Sequence, residues 1–392
     1  MKEIKHLILI FGRWLAKIAK RICVGSSHRQ VLFVGESQLM VAYLKEVWQR
    51  LKDDDRLSLR VAFDCDIDPH VIAKEMRQFE VTGNKIRRVH YWLAMIWPWD
   101  MIVFADCTKA WIAFSNVSKK LWIPHGITAG KLSRRSGKII EWDEWLWKKD
   151  KTPAFDMIFV INEKSKIDLE RECPAYVGRI ACVGDLRFDN LLEVCKKREK
   201  IKKYLDIPQD RKIVLCISSW GPKSLLHTVG TQLYQECSNL SDKYHFIITA
   251  HPNNYDRDKS WIDVVQKHKS WGATVLEPNE DYVSSLSIAD VLITDFTSLS
   301  LYFVPLLRPI ISIPIPLDVG APGSNMYKME SISTRLESPG KLRDALEIAL
   351  SSEISDQHRA FAKELVAHQG EAWIEMRKRI YELLSLSEQE SI

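Results

Sequence analysis

The chain has no long hydrophobic run, no paired cysteines and no strong charge of either sign, and each absence removes a class of protein. Its eight cysteines are scattered over 392 residues without a Cys-x-x-Cys pair or an accompanying histidine cluster. Neither a zinc site nor a disulfide framework is supported by that spacing. Several lie in apolar runs such as Val214-Leu215-Cys216-Ile217, where a thiol acts as a small hydrophobe. A formal net charge of +5 is too modest to indicate nucleic acid as a partner. It favours anionic substrates or an anionic membrane surface instead. There is no Gly-x-x-x-x-Gly-Lys-Ser/Thr loop, and Gly25 and Gly35, which flank the first strand, form no dinucleotide fingerprint. A kinase or nucleotide hydrolase is therefore disfavoured, and the sequence calls for no cofactor and no dedicated metal.

What is present is a well-packed globular composition, 46% hydrophobic and 27% charged. The length exceeds what one core supports, so two domains are expected. Residues 1–25 form a separate feature. Ile4, Ile8, Phe11, Leu15, Ile18 and Ile22 fall on one helical face, ringed by Lys2, Lys5, Arg13, Lys17, Lys20 and Arg21. The basic residues interrupt the segment long before it could span a bilayer, and no small-residue cleavage site follows it. It reads either as a basic amphipathic helix lying on an anionic leaflet or as a first helix packed on its own domain.

Beyond it, short apolar runs alternate with helical patterns. Val31 to Gly35, Leu57 to Phe63, Met101 to Phe104, Leu121 to Pro124, Phe155 to Ile161 and Ile180 to Val183 read as strands. Helices are expected at Ser37 to Leu51, Pro69 to Phe79 and, long and charged, at Phe188 to Leu205. Asp206 to Asp210 is turn-rich and reads as a linker. A second alternation follows, with strands at Lys212 to Ile217, His245 to Ala250, Ala273 to Leu276, Val291 to Ile293 and Ile310 to Ile313, then two helices past Pro339. Such alternation indicates mostly parallel sheets covered on both faces. The fold class expected is α/β, two Rossmann-like domains (26–207 and 208–392) facing a central cleft. The charged stretch Arg134 to Pro153, with Trp142, Trp145 and Trp147, reads as an insertion packed on the surface or as an acceptor- or membrane-contacting loop.

Ligands of such sheets bind beyond the carboxyl ends of strands. Four clusters sit there. His125-Gly126 follows an apolar strand, where a neutral imidazole can take a proton; an ordinary loop histidine fits equally. Gly184-Asp185-Leu186-Arg187-Phe188-Asp189 joins a strand to a helix, with Asp189 as the expected cap and Arg187 able to reach a phosphate. His251-Pro252-Asn253 ends another strand, the proline turning the chain away from the sheet. Last, Ala289 to Ser298 reads as short strand, polar turn and new helix. Thr294, Thr297 and Ser298 bring hydroxyls to free amides, and Asp295 is the expected cap. A plain capping segment would have the same composition.

In order and spacing these clusters resemble the CDP-glycerol:poly(glycerophosphate) glycerophosphotransferases of teichoic acid and capsule synthesis, over about residues 120 to 315. That family shows a His-Gly, a Gly-x-Pro-Arg-x-Asp, a His-Pro, and an Ala-Asp-x-x-Ile-Thr-Asp-Tyr-Ser-Ser segment ending in Lys-Pro-Ile. Here the last is Ala289 to Ser298 followed by Arg308-Pro309-Ile310. Leu186 replaces the usual proline, Phe296-Thr297 replaces Tyr-Ser, Pro124 stands where an aromatic residue is common, and Ser300-Leu301-Tyr302-Phe303 lacks the usual acidic residue.

The resemblance implies a glycosyltransferase-B-like fold with an N-terminal acceptor side and a C-terminal nucleotide side. It implies His125 as the general base, with His251 holding the donor pyrophosphate. Arg187, Thr294, Asp295, Thr297 and Ser298 would bind the donor, and Gly126, Asp189, Pro252 and Asn253 would position substrate. The implied reaction moves glycerol phosphate, or a related polyol phosphate, from a CDP-activated donor to a lipid-linked or polymeric glycan and releases CMP. The enzyme would work in the cytoplasm, peripheral on the inner face of the plasma membrane. Two alternatives remain at this point: a glycosyltransferase using a nucleotide sugar for capsule or lipopolysaccharide, and a non-catalytic membrane-docked homologue.

Overall fold

The computed structural model describes Gly12 and residues 28–35, 38–63, 87–105, 117–124, 126–128, 130, 146–148, 150, 152–251, 254, 267–276 and 282–387. Apart from Gly12, the expected helices over residues 1–25 and 69–79 lie outside these residues, as do Trp142 and Trp145 of the tryptophan-rich stretch. The chain forms two compact units. One comprises 1–125, 141–184 and 371–392, the other 126–140 and 185–370. The turn expected as a linker, Asp206 to Asp210, therefore falls inside the second unit.

The first unit is built on a seven-stranded sheet of β1 (Arg29–Gly35), β2 (Leu57–Phe63), β3 (Arg87–Arg88), β4 (Met101–Ala105), β5 (Lys119–Ile123), β6 (Met157–Val160) and β7 (Ile180–Cys182), in the order β3-β2-β1-β4-β5-β6-β7. Every pairing is parallel. The β-branched and aromatic runs that predict these strands are buried on both faces, as a helix-covered parallel sheet requires. Leu32, Val34, Ile102, Phe104, Trp122, Ile158 and Tyr176 share one core. Trp147 packs edge-on against Tyr176 with ring centroids 5.4 Å apart, so this tryptophan belongs to the packing of the unit.

The second unit holds β8 (Lys212–Ser218), β9 (Tyr244–Ala250), β10 (Thr274–Val275), β11 (Val291–Thr294), β12 (Ile310–Ser312) and β13 (Thr334–Arg335). These six form a parallel sheet in the order β10-β9-β8-β11-β12-β13. Val214, Cys216, Phe246, Ile248, Val291 and Ile293 meet Leu233, Leu342 and Leu346 from the covering helices in its core. Among the described residues no helix is long and apolar enough to cross a membrane.

Two expectations need correction. The single helix read over Phe188 to Leu205 is two, Leu186–Cys195 and Arg198–Tyr204. No proline or glycine breaks it. Arg198 Nη2 instead donates to both oxygens of Asp290 at 3.0 Å, and Asp290 also accepts the β8 amide of Ile213 at 2.8 Å, so the second helix is anchored to the sheet. Among the described residues past Pro339 there are three α-helices, not two: Leu342–Ser351, Asp356–Leu365 and Ala372–Leu384. Ser355 caps the middle one by accepting from the His358 amide, and Gly370 turns the chain into the last at φ +84°.

Candidate functional site

In the order β10-β9-β8-β11-β12-β13, β8 is the first strand in sequence, β9 and β10 add on one side, and β11 to β13 add on the other. The strand order therefore reverses between β8 and β11, and the carboxyl ends of these strands are where such a sheet takes a ligand. All four sequence clusters have described residues in this unit, the first of them through Gly126 alone.

The centre of the arrangement is Asp295, wholly buried after β11. Its carboxylate accepts the Ser219 amide at 3.0 and 2.9 Å, the Ser219 hydroxyl at 2.8 Å, the Leu225 amide at 2.8 Å and the Thr297 amide at 3.1 Å. One carboxylate thus ties the end of β8, the start of the short helix Leu225–Thr228 and the turn after β11. It presents no surface to a donor, and neither does Thr294, which is equally buried with its hydroxyl 3.5 Å from the Asp295 carbonyl oxygen. The cap of the 3-10 segment Ser298–Tyr302 is Thr297, whose hydroxyl accepts from Leu299, and not Asp295.

Ser298 is the open member of this turn. It is half-buried, and among the described residues nothing bonds its amide or hydroxyl. On the other side of β8, the His251 amide donates to the Ser218 carbonyl at 3.0 Å, carrying the ladder one residue past β9. Its ring stands 6.2 Å from the ring of Trp220, which is 42% exposed. Asn254 closes that turn, donating its amide to His251 O at 2.9 Å and its carboxamide to Ser219 O at 3.0 Å. Pro252 and Asn253 lie outside the described residues, as does His125. Gly126, next to His125, has φ +134°, a conformation that L side chains rarely adopt.

The Gly184 to Asp189 cluster is read differently once folded. Asp185, not Asp189, caps the helix Leu186–Cys195, its Oδ1 accepting the Arg187 amide at 2.8 Å. Its Oδ2 accepts the Tyr302 hydroxyl at 2.6 Å. Asp189 sits in the first turn, and its carboxylate takes the Gly370 amide at 2.7 Å. Arg187 Nη1 donates to the Tyr282 hydroxyl at 2.9 Å. Arg308 serves the protein, donating to the Ser287 and Ala289 carbonyls at 2.7 Å and so finishing the helix Tyr282–Ile288. Burial pulls its pKa down, with Cys195 and Asp290 pulling the other way.

Sequence reasoning missed Ser219, Trp220, Asn254, Asp185, Tyr282 and Tyr302. The run Ser218-Ser219-Trp220-Gly221 beyond an apolar strand is a signal that could have found the first two, since small hydroxyls and glycine at a strand end mark a working turn. The tyrosines carry no local signal, because their partners lie far away in sequence. Among the described residues no group of three histidine, cysteine, aspartate or glutamate side chains could hold a metal.

Several solved structures share this architecture. Wall teichoic acid polymerase TagF, in a variant soaked with CDPG, superposes with a TM-score of 0.66 at 16% identity, covering 98% of this chain and 95% of that one. S. aureus MnaA in its co-structure with UDP gives 0.60 at 12%, covering 93% and 99%. UDP-GlcNAc 2-epimerase from Methanocaldococcus jannaschii gives 0.59 at 14%, covering 90% and 99%. At these identities the likeness carries the fold alone, and it is the α/β, glycosyltransferase-B-like fold expected from the motifs. No curated protein matches the sequence. The family model for CDP-glycerol:poly(glycerophosphate) glycerophosphotransferase, however, matches residues 58–318, two-thirds of the chain and well beyond the span over which the motifs carry the resemblance. The chain belongs to the CDP-glycerol:poly(glycerophosphate) glycerophosphotransferase family, and is a transferase of that class acting on CDP-glycerol.

Proposed function

We propose that the chain transfers glycerol phosphate, or a related polyol phosphate, from its CDP-activated donor to a hydroxyl of a membrane-bound glycan or polymer, releasing CMP. The observation that carries this reading is the open turn at Ser298, which leaves the same sheet edge as His251 with β8 between them. Two groups able to donate to phosphate oxygens flank the switch point, where donated hydrogen bonds stabilise charge that develops in transfer.

In this mechanism the acceptor hydroxyl attacks the glycerol-bearing phosphorus. Its proton passes to the imidazole of His125, the new P–O bond forms, and the bond to CMP breaks, with CMP leaving as the phosphate monoester. His251, Ser298 and Arg187 hold the pyrophosphate, and Thr297 shapes the turn that presents Ser298. Gly126, which follows the base in sequence, helps to position substrate. Asp189, Pro252 and Asn253 position substrate, while Thr294 and Asp295 act from beneath by holding the turn. Residues 1–25 would dock the enzyme on the anionic inner face of the plasma membrane, where a lipid-linked acceptor is found.

A thermal-shift panel against CDP-glycerol, CDP-ribitol, CMP-sugars and UDP-sugars tests the donor. CDP-glycerol at 100 times its Kd should add about 2.7 kcal/mol of apparent stability. His125→Ala should keep that shift while turnover disappears. Stabilisation by a nucleotide sugar and not by any CDP-polyol would replace the reading with a glycosyltransferase.

A further inference from the structure

We propose that Tyr282 and Tyr302 are positioning residues that register Arg187 against the Ser298 turn, so that guanidinium and turn grip one donor pyrophosphate together. The inference rests on the donor reading above and adds how the site is held in shape.

Arg187 is fixed at both ends. Its backbone amide is taken by Asp185 Oδ1 at 2.8 Å, and its head donates to the Tyr282 hydroxyl at 2.9 Å. Tyr282 begins the helix Tyr282–Ile288, which packs against the helix Leu186–Cys195 that carries Arg187 in its first turn. Asp185 is in turn held by Tyr302 at 2.6 Å, and both are nearly buried, at 6% and 5% exposure. Tyr302 is the last residue of the 3-10 segment that starts at Ser298. A covalent turn and two hydrogen bonds thus run from Ser298 through Tyr302 and Asp185 to the backbone of Arg187.

The contact between Tyr302 and Asp185 pairs a hydroxyl with a carboxylate. A charged side chain facing a hydroxyl is the stronger kind of hydrogen bond, and burial sharpens it. An arginine with backbone and head already held has little rotamer freedom left to lose when an anion arrives.

The test is a titration of the full chain with CDP-glycerol, paired with steady-state rates and melting temperatures. Tyr282→Phe and Tyr302→Phe remove only the hydroxyl and keep the ring, so the fold should survive. Tyr282→Phe should weaken CDP-glycerol binding about tenfold and raise KM alike while kcat stays within about twofold. In an Arg187→Ala background the same change should have no further effect, a coupling that a merely structural tyrosine would not show. Tyr302→Phe should act in the same direction. Unchanged binding in Tyr282→Phe, or a penalty that persists undiminished with Arg187→Ala, overturns the proposal while leaving the donor reading in place. If the unaltered chain binds only a UDP-sugar, the donor reading falls and the same cycle with that ligand decides the tyrosines. Binding of neither overturns both.

Discussion

The two sheets share a strand order and differ in what stands at the carboxyl ends of their central strands. In the first unit β1 ends at Gly35, where an added Cβ would lie 2.7 Å from Val41 Cγ2 and 3.3 Å from the Phe63 ring. In the second, β8 runs through Ser218 into Ser219, and the buried Asp295, from beyond β11, accepts the amide and hydroxyl of Ser219. One strand end is closed by apolar contact, the other by a carboxylate with several donors. Topology marks both positions as places for a ligand. The side chains decide between them, which is why fold alone does not carry function.

The change that would break this comparison most severely is Asp295→Ala. Three amides and one hydroxyl would lose their acceptor in a wholly buried place, and water cannot replace it there. A loss of about 4 kcal/mol is expected on urea unfolding, since each orphaned buried donor costs about 1–3 kcal/mol and some relaxation will occur. CDP-glycerol binding should vanish with the turn. A variant within about 1 kcal/mol of the unaltered chain would mean that the covering helices, and not this carboxylate, hold the strand ends together.

The sequence made the sheets legible and much of the site misleading, for a common reason. Runs such as Val31 to Gly35 and Lys212 to Ile217 announce buried parallel strands, because burial on both faces demands uninterrupted apolar residues. The two-residue strands Arg87–Arg88 and Thr334–Arg335 have no room for a pattern and went unread. At the site, the motif spacing located the turn after β11, but composition could not say which of Asp295, Thr297 and Ser298 faces outward. All three are ordinary capping types. Only the neighbouring strand settles it, since Ser219 arrives from 76 residues away to claim Asp295. The cap expected at Asp189 falls likewise to Asp185, while Asp189 is claimed by Gly370 from distant sequence.

Gly35→Ala sharpens the comparison from the other side. Val41 is β-branched and buried, so its methyl has little freedom to move away from the new Cβ. Overpacking of this kind should cost about 2 kcal/mol, read by urea unfolding. Affinity for CDP-glycerol, measured well below the melting temperature, should not change, because this strand end is outside the donor unit. An equal loss of affinity would show that the first unit's strand end belongs to the donor site after all.

The smallest effect expected concerns acid. In the first unit Asp54 holds the last helix to the body of the unit: its carboxylate accepts from Tyr381 at 2.6 Å and pairs with Arg56 at 2.7 Å, while Arg56 also donates to the Ser387 carbonyl at 2.8 Å. The Arg56 hydrogen bond brings the carboxyl from 3.8 down to about 2, against the opposing effect of burial and with help from Tyr381. A carboxyl depressed on folding binds fewer protons in the native than in the unfolded state. Its contribution is therefore complete above pH 4 and disappears as the pH falls towards 2. Because water reaches both partners, about 1 kcal/mol is expected from the pair. Asp54→Asn should lower stability by that amount at pH 7 and flatten the decline between pH 4 and 2. A variant whose acid decline matches that of the unaltered chain would place the acid sensitivity elsewhere, and the link to the C-terminal helix would then rest on packing rather than on charge.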